Sequence, residues 1–206
     1  NNIKVFDGSP EVLASILNIS LDFAIYLHLH HVVILFPYPD LNVSDPAFYR
    51  IKLIPPYSDK DGKLIKYLQP KGISTRPYII DRVWNSRKDT SVDIFIVEGE
   101  KKSLLLNQEG FPAIALPGVY NFRNSSEVGA EFVDLEVSLQ AFTWTGRNVY
   151  VAFDADFRTN PQVRLAMFEL AFRLESHGAV VKIVTWNSED GKGIDDYVIG
   201  KGVCRE

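Results

Sequence analysis

From about residue 92 onward, short apolar runs alternate with segments whose apolar residues recur every three or four positions. The apolar runs are VDIFIVEG (92–99), FPAIALPG (111–118), NVYVAFDAD (148–156) and AVVKIVTW (179–186). Runs of this length, bounded by glycine or proline, are typical of strands that are buried on both faces. The pattern therefore predicts an α/β fold, Rossmann-like, with a mostly parallel sheet and helices on both faces.

The longest of the intervening segments predicts a helix from Pro161 to the residues before Gly178. Proline favours the first turn of a helix, and Thr159 or Asn160 would cap it. The apolar residues that recur at helical spacing are Val163, Ala166, Met167, Leu170, Ala171 and Leu174.

Two shorter helices are predicted in the same half of the chain. The segment EKKSLLLNQ (100–108) predicts a short helix that ends at Gly110, because glycine readily adopts the left-handed conformation after a helix. The segment EFVDLEVSLQAF (131–142) fits a helical pattern only in part, and a helix is predicted there as well.

The first 90 residues have a different pattern and predict a small mixed α/β subdomain. SPEVLASILN (9–18) predicts a helix with Ser9 as cap and Pro10 in the first position. Two alternating segments flank SDKDG (58–62), which indicates an antiparallel hairpin. We therefore predict two domains, residues 1–90 and 91–206, with the boundary near residues 86–91.

The most apolar stretch, LDFAIYLHLHHVVILFPYP (21–39), has the length of a membrane span. Asp22, three histidines and two prolines interrupt it, so a buried helix followed by a strand is the preferred interpretation, and no membrane contact is expected. A single cysteine, Cys204, excludes a disulfide framework and fits a reducing, cytoplasmic location.

The net charge of −4 conceals a strongly basic block. Residues 50–88 carry ten lysines and arginines against three acidic residues, whereas residues 89–206 carry eleven against eighteen. A basic region beside an acidic one is what a protein needs to hold a polyanion near bound metal ions. The alternative is a solvated basic face with no binding role.

Acidic residues follow three of the predicted strands. Glu98 follows the first, Asp154 and Asp156 follow the third, and Asp195 and Asp196 follow the fourth. The carboxyl ends of parallel strands meet at one edge of the sheet, where binding sites are usual. If the third strand remains extended, its two aspartates project to the same side. Carboxylates that close repel each other unless a cation or proton intervenes, and their oxygens suit Mg²⁺ or Mn²⁺. Taken one at a time, each could instead cap a helix or a turn.

The stretches IVEGEKKSLLL, AIALPGV, VYVAFDAD and GKGIDDYV, in this order, resemble a toprim domain. This is the α/β fold of bacterial-type primases, topoisomerases and some nucleases, with a glutamate-glycine after the first strand and Asp-x-Asp after the third. The resemblance covers roughly residues 92–200. It implies that Glu98, Asp154 and Asp156 are catalytic, and that the same three residues with Asp195 bind the metal.

The basic subdomain extends the resemblance to the primase branch, including primase-helicases of plasmids, phages and other mobile elements. GKLIKYLQPKG (62–72) is similar to the Lys-Tyr element of primases, in which the lysine faces phosphate. The resemblance implies metal-dependent nucleotidyl transfer that makes short primers in DNA replication, on a single-stranded DNA template, from nucleoside triphosphates. The residues implied to bind nucleotide or DNA are Lys63, Lys66, Lys71, Arg76 and Lys102.

One position departs from the pattern. Primases and topoisomerases often have an aspartate four residues after the glutamate, and this chain has Lys102. Either the metal site is reduced to Glu98, Asp154 and Asp156, or Lys102 contacts phosphate. Two alternatives to a primase therefore stay open: a toprim nuclease, and a catalytically silent DNA-binding module that recruits a helicase or polymerase. The chain is expected to be part of a larger replication protein.

Overall fold

The computed structural model describes residues 3–39, 48–124 and 133–203, and the chain divides into two compact units, Asn1–Thr75 and Arg76–Glu206. The elements of the first unit are β1 (Lys4–Val5), α1 (Pro10–Leu17), α2 (Leu21–His30), β2 (Val32–Tyr38), β3 (Phe48–Ser58) and β4 (Leu64–Leu68). Those of the second are α3 (Asp81–Asn85), β5 (Ile94–Glu98), α4 (Glu100–Gln108), β6 (Ala113–Leu116), α5 (Val137–Gln140), β7 (Asn148–Ala152), α6 (Pro161–Ser176), β8 (Val180–Ile183) and α7 (Ile194–Lys201). The predicted α/β class is confirmed.

In the first unit, two helices pack on an antiparallel sheet of order β1-β2-β3-β4. The predicted hairpin is present as β3 and β4, and the apolar stretch 21–39 forms α2 followed directly by β2. The core of the unit contains Leu13 and Leu17 from α1, Leu27 from α2, and Ile51 and Leu53 from β3. Burial of these side chains explains why so apolar a stretch folds within the unit.

The start of α1 agrees only in part with the prediction. Pro10 is the first helical residue and Ser9 occupies the N-cap position, but the Ser9 side chain accepts no hydrogen bond from the first turn. Instead, a hydrogen bond from Ser9 lowers the pKa of the exposed Glu11 carboxylate.

In the second unit, four parallel strands form a sheet of order β6-β5-β7-β8, flanked by helices. Helices α4 and α7 share a core with strand residues, where Leu106 and Val198 pack with Val97 and Ala152. Asn107, also on α4, fastens the helix to β6: its side-chain amide donates to the carbonyl of Ala113 and accepts from the same residue's N–H.

Helix α6 begins and ends where the sequence predicts. The Asn160 side chain accepts hydrogen bonds from the backbone N–H groups of Gln162 and Val163, and Gly178 follows the helix with φ of +85°. The buried side of the helix carries Val163, Ala166, Met167, Leu170 and Leu174.

Residues 76–90 belong to the second unit, although the sequence analysis assigned them to the first domain. Tyr78 exchanges backbone hydrogen bonds with Ala115 in β6, at 2.8 and 3.0 Å. The fully buried Arg147 donates to the carbonyls of Ser86 and Arg87, at 3.2 and 3.0 Å. These contacts are distant in sequence, and local patterns do not reveal them.

The helix predicted over 131–142 is short in the structure. Of residues 133–142, only Val137–Gln140 is helical, after an isolated bridge between Arg123 and Leu135. Residues 131 and 132 of the predicted segment, and Cys204, lie outside the described residues.

Within the described parts of the chain, no single helix has the length and apolar character to cross a membrane. Helices α1 and α2 reach that length only when counted together, and they are bent by 117° relative to each other.

Candidate active site

The strand order of the parallel sheet creates a crevice between β5 and β7. From β5 the chain passes through α4 to β6 on one side, and from β7 it passes through α6 to β8 on the other. Ligands of open α/β sheets bind outside the carboxyl ends of the strands at such a switch point. Glu98 is the last residue of β5, and Asp154 follows the end of β7, so both lie at this point.

The carboxylate of Glu98 lies in surroundings that disfavour its charge. Its Oε1 atom is buried and has no hydrogen-bond partner. Burial, followed by the negative charges of Asp154 and Asp156, raises the pKa of Glu98 from its ordinary 4.5 to about 7, against the opposing effects of Lys102 and of a hydrogen bond from the Asp154 backbone. A carboxyl group with this pKa can take up or release a proton near neutral pH, as a general base must.

Asp154 has its counter-charge within the protein. The Lys102 ammonium donates a hydrogen bond to Asp154 Oδ1, and the two side chains are 17% and 13% exposed. Gly99, with φ of +81°, makes the turn from β5 into α4, and this turn brings Lys102 to the site. Glu98, Asp154 and Asp156 form an acidic cluster, and one of its carboxylates is therefore already paired with a positive charge.

No lysine, arginine or histidine of the described residues forms an ion pair with Asp156. Its Oδ1 atom is buried without a hydrogen bond, and its charge contributes to the raised pKa of Glu98. The expectation that an extended strand carries Asp154 and Asp156 was wrong: β7 ends at Ala152, and a 3₁₀ helix (Ala155–Arg158) contains Asp156. The two aspartates reach the cluster through this turn rather than through strand alternation.

Asp195 and Asp196 have different surroundings at the start of α7. The Asp196 carboxylate accepts hydrogen bonds from the N–H groups of Lys192 and Gly193, at 3.0 and 3.1 Å, so it caps the helix. The Asp195 carboxylate lies beside Gly193 on the side of Lys102. The capping alternative therefore holds for Asp196, whereas Asp195 adjoins the acidic cluster.

Gly193 provides the space that Lys102 occupies. Its backbone has φ of −106° and ψ of 165°, which any residue can adopt, so the conformation does not require glycine. A Cβ atom at this position would overlap Cε of Lys102 and Oδ1 of Asp195, and would lie 3.2 Å from Lys102 Nζ. A side chain at this position would displace the ends of Lys102 and Asp195, so glycine favours the observed position of the lysine.

The donor chemistry of the cluster fits a divalent ion in part. Within residues 3–39, 48–124 and 133–203, no group of three or more His, Cys, Asp or Glu side chains is arranged to hold a metal. Nevertheless, Glu98 and Asp156 each have one buried carboxylate oxygen without a hydrogen-bond partner. Hard oxygens of this kind suit Mg²⁺ or Mn²⁺. Asp154, the third carboxylate, is engaged by Lys102.

A small cavity of about 290 Å³ opens at the same edge of the sheet, lined by Arg158, Asn187, Ser188 and Glu189. Arg158 ends the 3₁₀ helix that contains Asp156, and the other three residues follow β8. Arg158 is not among the site residues predicted from the sequence. The rule that located the aspartates could have found it, because Arg158 also follows a strand at the carboxyl edge.

The predicted phosphate-binding residues are divided between the two units. Lys63, Lys66 and Lys71 are exposed in the first unit, with Lys66 on β4 and the other two in the flanking turns. Arg76 is half-buried at the start of the second unit, and Lys102 lies in the acidic cluster. Of the predicted basic residues, the structure places Lys102 with the carboxylates.

A model of the family described as "Domain of unknown function (DUF3854)" matches residues 83–204, more than half of the chain. An uncharacterized protein of Picosynechococcus sp. (strain ATCC 27264 / PCC 7002 / PR-6) is 34% identical over 116 residues. That match covers 53% of this chain and 12% of the relative.

Among solved structures, the fold is similar to that of the Aquifex aeolicus primase, in a crystal structure of its zinc-binding and RNA polymerase domains. The TM-score is 0.57 at 17% sequence identity, and the match covers 97% of this chain and 48% of the primase chain. At this identity the likeness establishes a primase-like fold. The chain spans about half of that primase chain and 12% of the length of the Picosynechococcus relative.

Proposed function

Because the chain belongs to the family described as "Domain of unknown function (DUF3854)", whose description assigns no activity, we propose a function from the site itself. The second unit is a toprim domain of the primase type. It joins nucleotides on a single-stranded DNA template in a metal-dependent reaction, as part of a longer cytoplasmic replication protein.

One observation carries the proposal: the buried oxygens of Glu98 and Asp156, which have no hydrogen-bond partner, at the switch point of a sheet with a primase-like fold. Leaving a buried carboxylate oxygen unsatisfied is costly, and proteins tolerate that cost mainly at functional sites. A site for a divalent ion accounts for both oxygens at once.

In the proposed reaction, the 3′-oxygen of the growing strand attacks the α-phosphorus of a nucleoside triphosphate, and the bond to pyrophosphate breaks. A bound divalent ion would supply the Lewis acidity that lowers the pKa of the attacking hydroxyl and offsets phosphate charge. Glu98 and Asp156 would hold that ion through their buried oxygens, and the hydroxyl proton passes to solvent. Arg158, exposed beside the 290 Å³ cavity, binds phosphate of the incoming nucleotide.

The basic residues of the first unit bind the template or nucleotide in this proposal. Lys63, Lys66 and Lys71 are exposed, as contact with a phosphate backbone requires, and Arg76 extends the same basic block. A replicative helicase or polymerase is the proposed partner, supplied by another part of the longer protein or by a separate chain.

A second candidate function has its own observation. The ion pair between Lys102 and Asp154 reduces the negative charge available to metal ions, and this favours a catalytically silent module that binds DNA and recruits a helicase or polymerase. Such a module would need the basic residues but not the carboxylates.

The test incubates the full chain with circular single-stranded DNA, labelled nucleoside triphosphates and Mg²⁺ or Mn²⁺, and sizes the products on a denaturing gel. Asp154→Asn and Asp156→Asn probe the site. Asp93→Asn is the matched control, because Asp93 lies just before β5, at the opposite end of that strand, and bonds Asn148 there at 3.1 Å.

Short labelled products that Asp93→Asn retains and Asp156→Asn loses would support the primase. A cleaved template without labelled product would indicate a toprim nuclease instead. If the wild type gives no labelled product and no cleavage, and Asp156→Asn binds DNA as the wild type does, the result would favour the silent module.

A further inference from the structure

The acidic cluster has two halves with different partners. On one side, Asp154 accepts a hydrogen bond from the Lys102 ammonium. On the other, Glu98 Oε1 and Asp156 Oδ1 are buried with no hydrogen-bond partner. Among the described residues, the Lys102 ammonium thus bonds one of the three carboxylates directly, and one oxygen of each of the other two has no hydrogen-bond partner.

Lys102 is held in this position by the surrounding structure. Its side chain is only 17% exposed, and it projects from the first turn of α4, which begins directly after Gly99. Gly193 leaves room for the end of the lysine, although its own backbone conformation does not require glycine. A mostly buried ion pair whose lysine passes directly beside a glycine indicates a built feature rather than a chance surface ion pair.

An ammonium group held here excludes a divalent ion from the same place. An oxygen that accepts from Lys102 is not free to coordinate a metal through the same lone pair, and the two positive charges repel at short range. The repulsion is strong because the cluster is largely shielded from water.

We propose that the Lys102 ammonium takes the place of one cation in the acidic cluster, so that the domain binds a single divalent ion, through Glu98 and Asp156. This inference rests on the proposed function, since it assumes that the cluster binds metal. It specifies that the centre has one metal and one fixed ammonium, with Gly193 as the residue that makes room for it.

The experiment titrates Mn²⁺ into the full chain by isothermal titration calorimetry and counts free ion by electron paramagnetic resonance. Lys102→Gln removes the charge, and Lys102→Asp puts a carboxylate in its place. Gly193→Ala keeps the lysine but displaces its end, which can move because it is the far end of a flexible side chain. Lys101→Gln is the matched control: the same charge change at the preceding, exposed residue of α4.

We expect one ion per chain for the wild type and for Lys101→Gln. Lys102→Gln should bind its first ion at least about tenfold more tightly. A charge within about 4–6 Å shifts a neighbouring equilibrium by about one to three powers of ten, and the substitution removes a charge that repels the ion. Gly193→Ala should change affinity in the same direction, and Lys102→Asp should bind two ions. Tryptophan fluorescence during heating, with and without Mn²⁺, verifies that each variant folds and binds.

Two ions in the wild type, or wild-type affinity and stoichiometry in Lys102→Gln, would overturn the role of Lys102 while leaving the metal-dependent function in place. Binding by Lys102→Gln with none by the wild type would also overturn it, because the lysine would then exclude metal altogether. No binding by any variant would instead reject the proposed metal-dependent function itself.

Discussion

Replacing Glu98 by glutamine should stabilise the metal-free protein at pH 8 and leave its stability nearly unchanged at pH 4. The folded protein holds the Glu98 carboxyl at a pKa of about 7, against an ordinary 4.5, so folding favours the protonated form. The stabilising effect of this preference is complete below pH 4.5 and is lost as the pH rises to 7 and above. At pH 8 the folded state must therefore carry a poorly solvated charge.

The size of the effect follows from the pKa difference. At about 1.4 kcal/mol per pKa unit, the change from 4.5 to about 7 corresponds to about 3 kcal/mol. Glutamine resembles the protonated carboxyl in size and carries no charge, so Glu98→Gln should recover most of that amount at pH 8. The free energy of unfolding at pH 4 should differ little from that of the wild type.

The assay is urea unfolding in the presence of a chelator at pH 4 and pH 8. All three tryptophans, Trp84, Trp144 and Trp186, lie in the second unit, so their fluorescence reports the unit that contains Glu98. Glu175→Gln, at an exposed position of α6, is the control and should show no difference between the two pH values.

An equal effect of Glu98→Gln at both pH values would refute the reasoning, because the gain depends on ionisation. A second measurement repeats the unfolding with Mg²⁺ in place of the chelator. If Glu98 binds the ion, Mg²⁺ at pH 8 should stabilise the wild type and should stabilise Glu98→Gln distinctly less.

Three further predictions concern the frame of the site and the basic unit. Asn107→Ala should lower the free energy of unfolding by about 3 kcal/mol, since it removes three side-chain hydrogen bonds and takes away the Asn107 partner of the buried backbone N–H and C=O of Ala113. Urea unfolding followed by tryptophan fluorescence measures this. Asn160→Ala removes the cap of α6 and should cost about 1 kcal/mol in the same assay, and a loss below the error would show that the cap is dispensable. Lys66→Gln should weaken the binding of single-stranded DNA, because Lys66 is exposed in the basic unit. The slope of log K against log salt concentration should become less steep by about 0.7, which fluorescence anisotropy at several salt concentrations would measure. An unchanged slope would mean that Lys66 contacts no phosphate.

Much of the secondary structure of the second unit could be predicted, because the signals for its strands and helix ends lie within short stretches of sequence. The strands are short apolar runs, α4 and α6 have recognisable ends, and Asn160 and Pro161 mark the start of α6 in ways that depend on near neighbours. The same locality led to the errors. Tertiary contacts of Tyr78 and Arg147 hold residues 76–90 in the second unit, and the chain leaves the strand before Asp156, which no periodicity indicates.

The sequence by itself determined which chemical groups are available and indicated the edge of the sheet at which they gather, because the carboxyl ends of parallel strands meet at one edge. The strand order that places Glu98 beside Asp154 comes from the tertiary structure. The sequence identified Lys102 as a departure but left its partner open. Only the tertiary structure decided that Lys102 pairs with Asp154, 52 residues away, that Gly193 makes room for the pair, and that Glu98 is buried enough for its pKa to rise. Burial and the distances between charges arise from packing, and packing joins segments whose sequences carry no sign of each other.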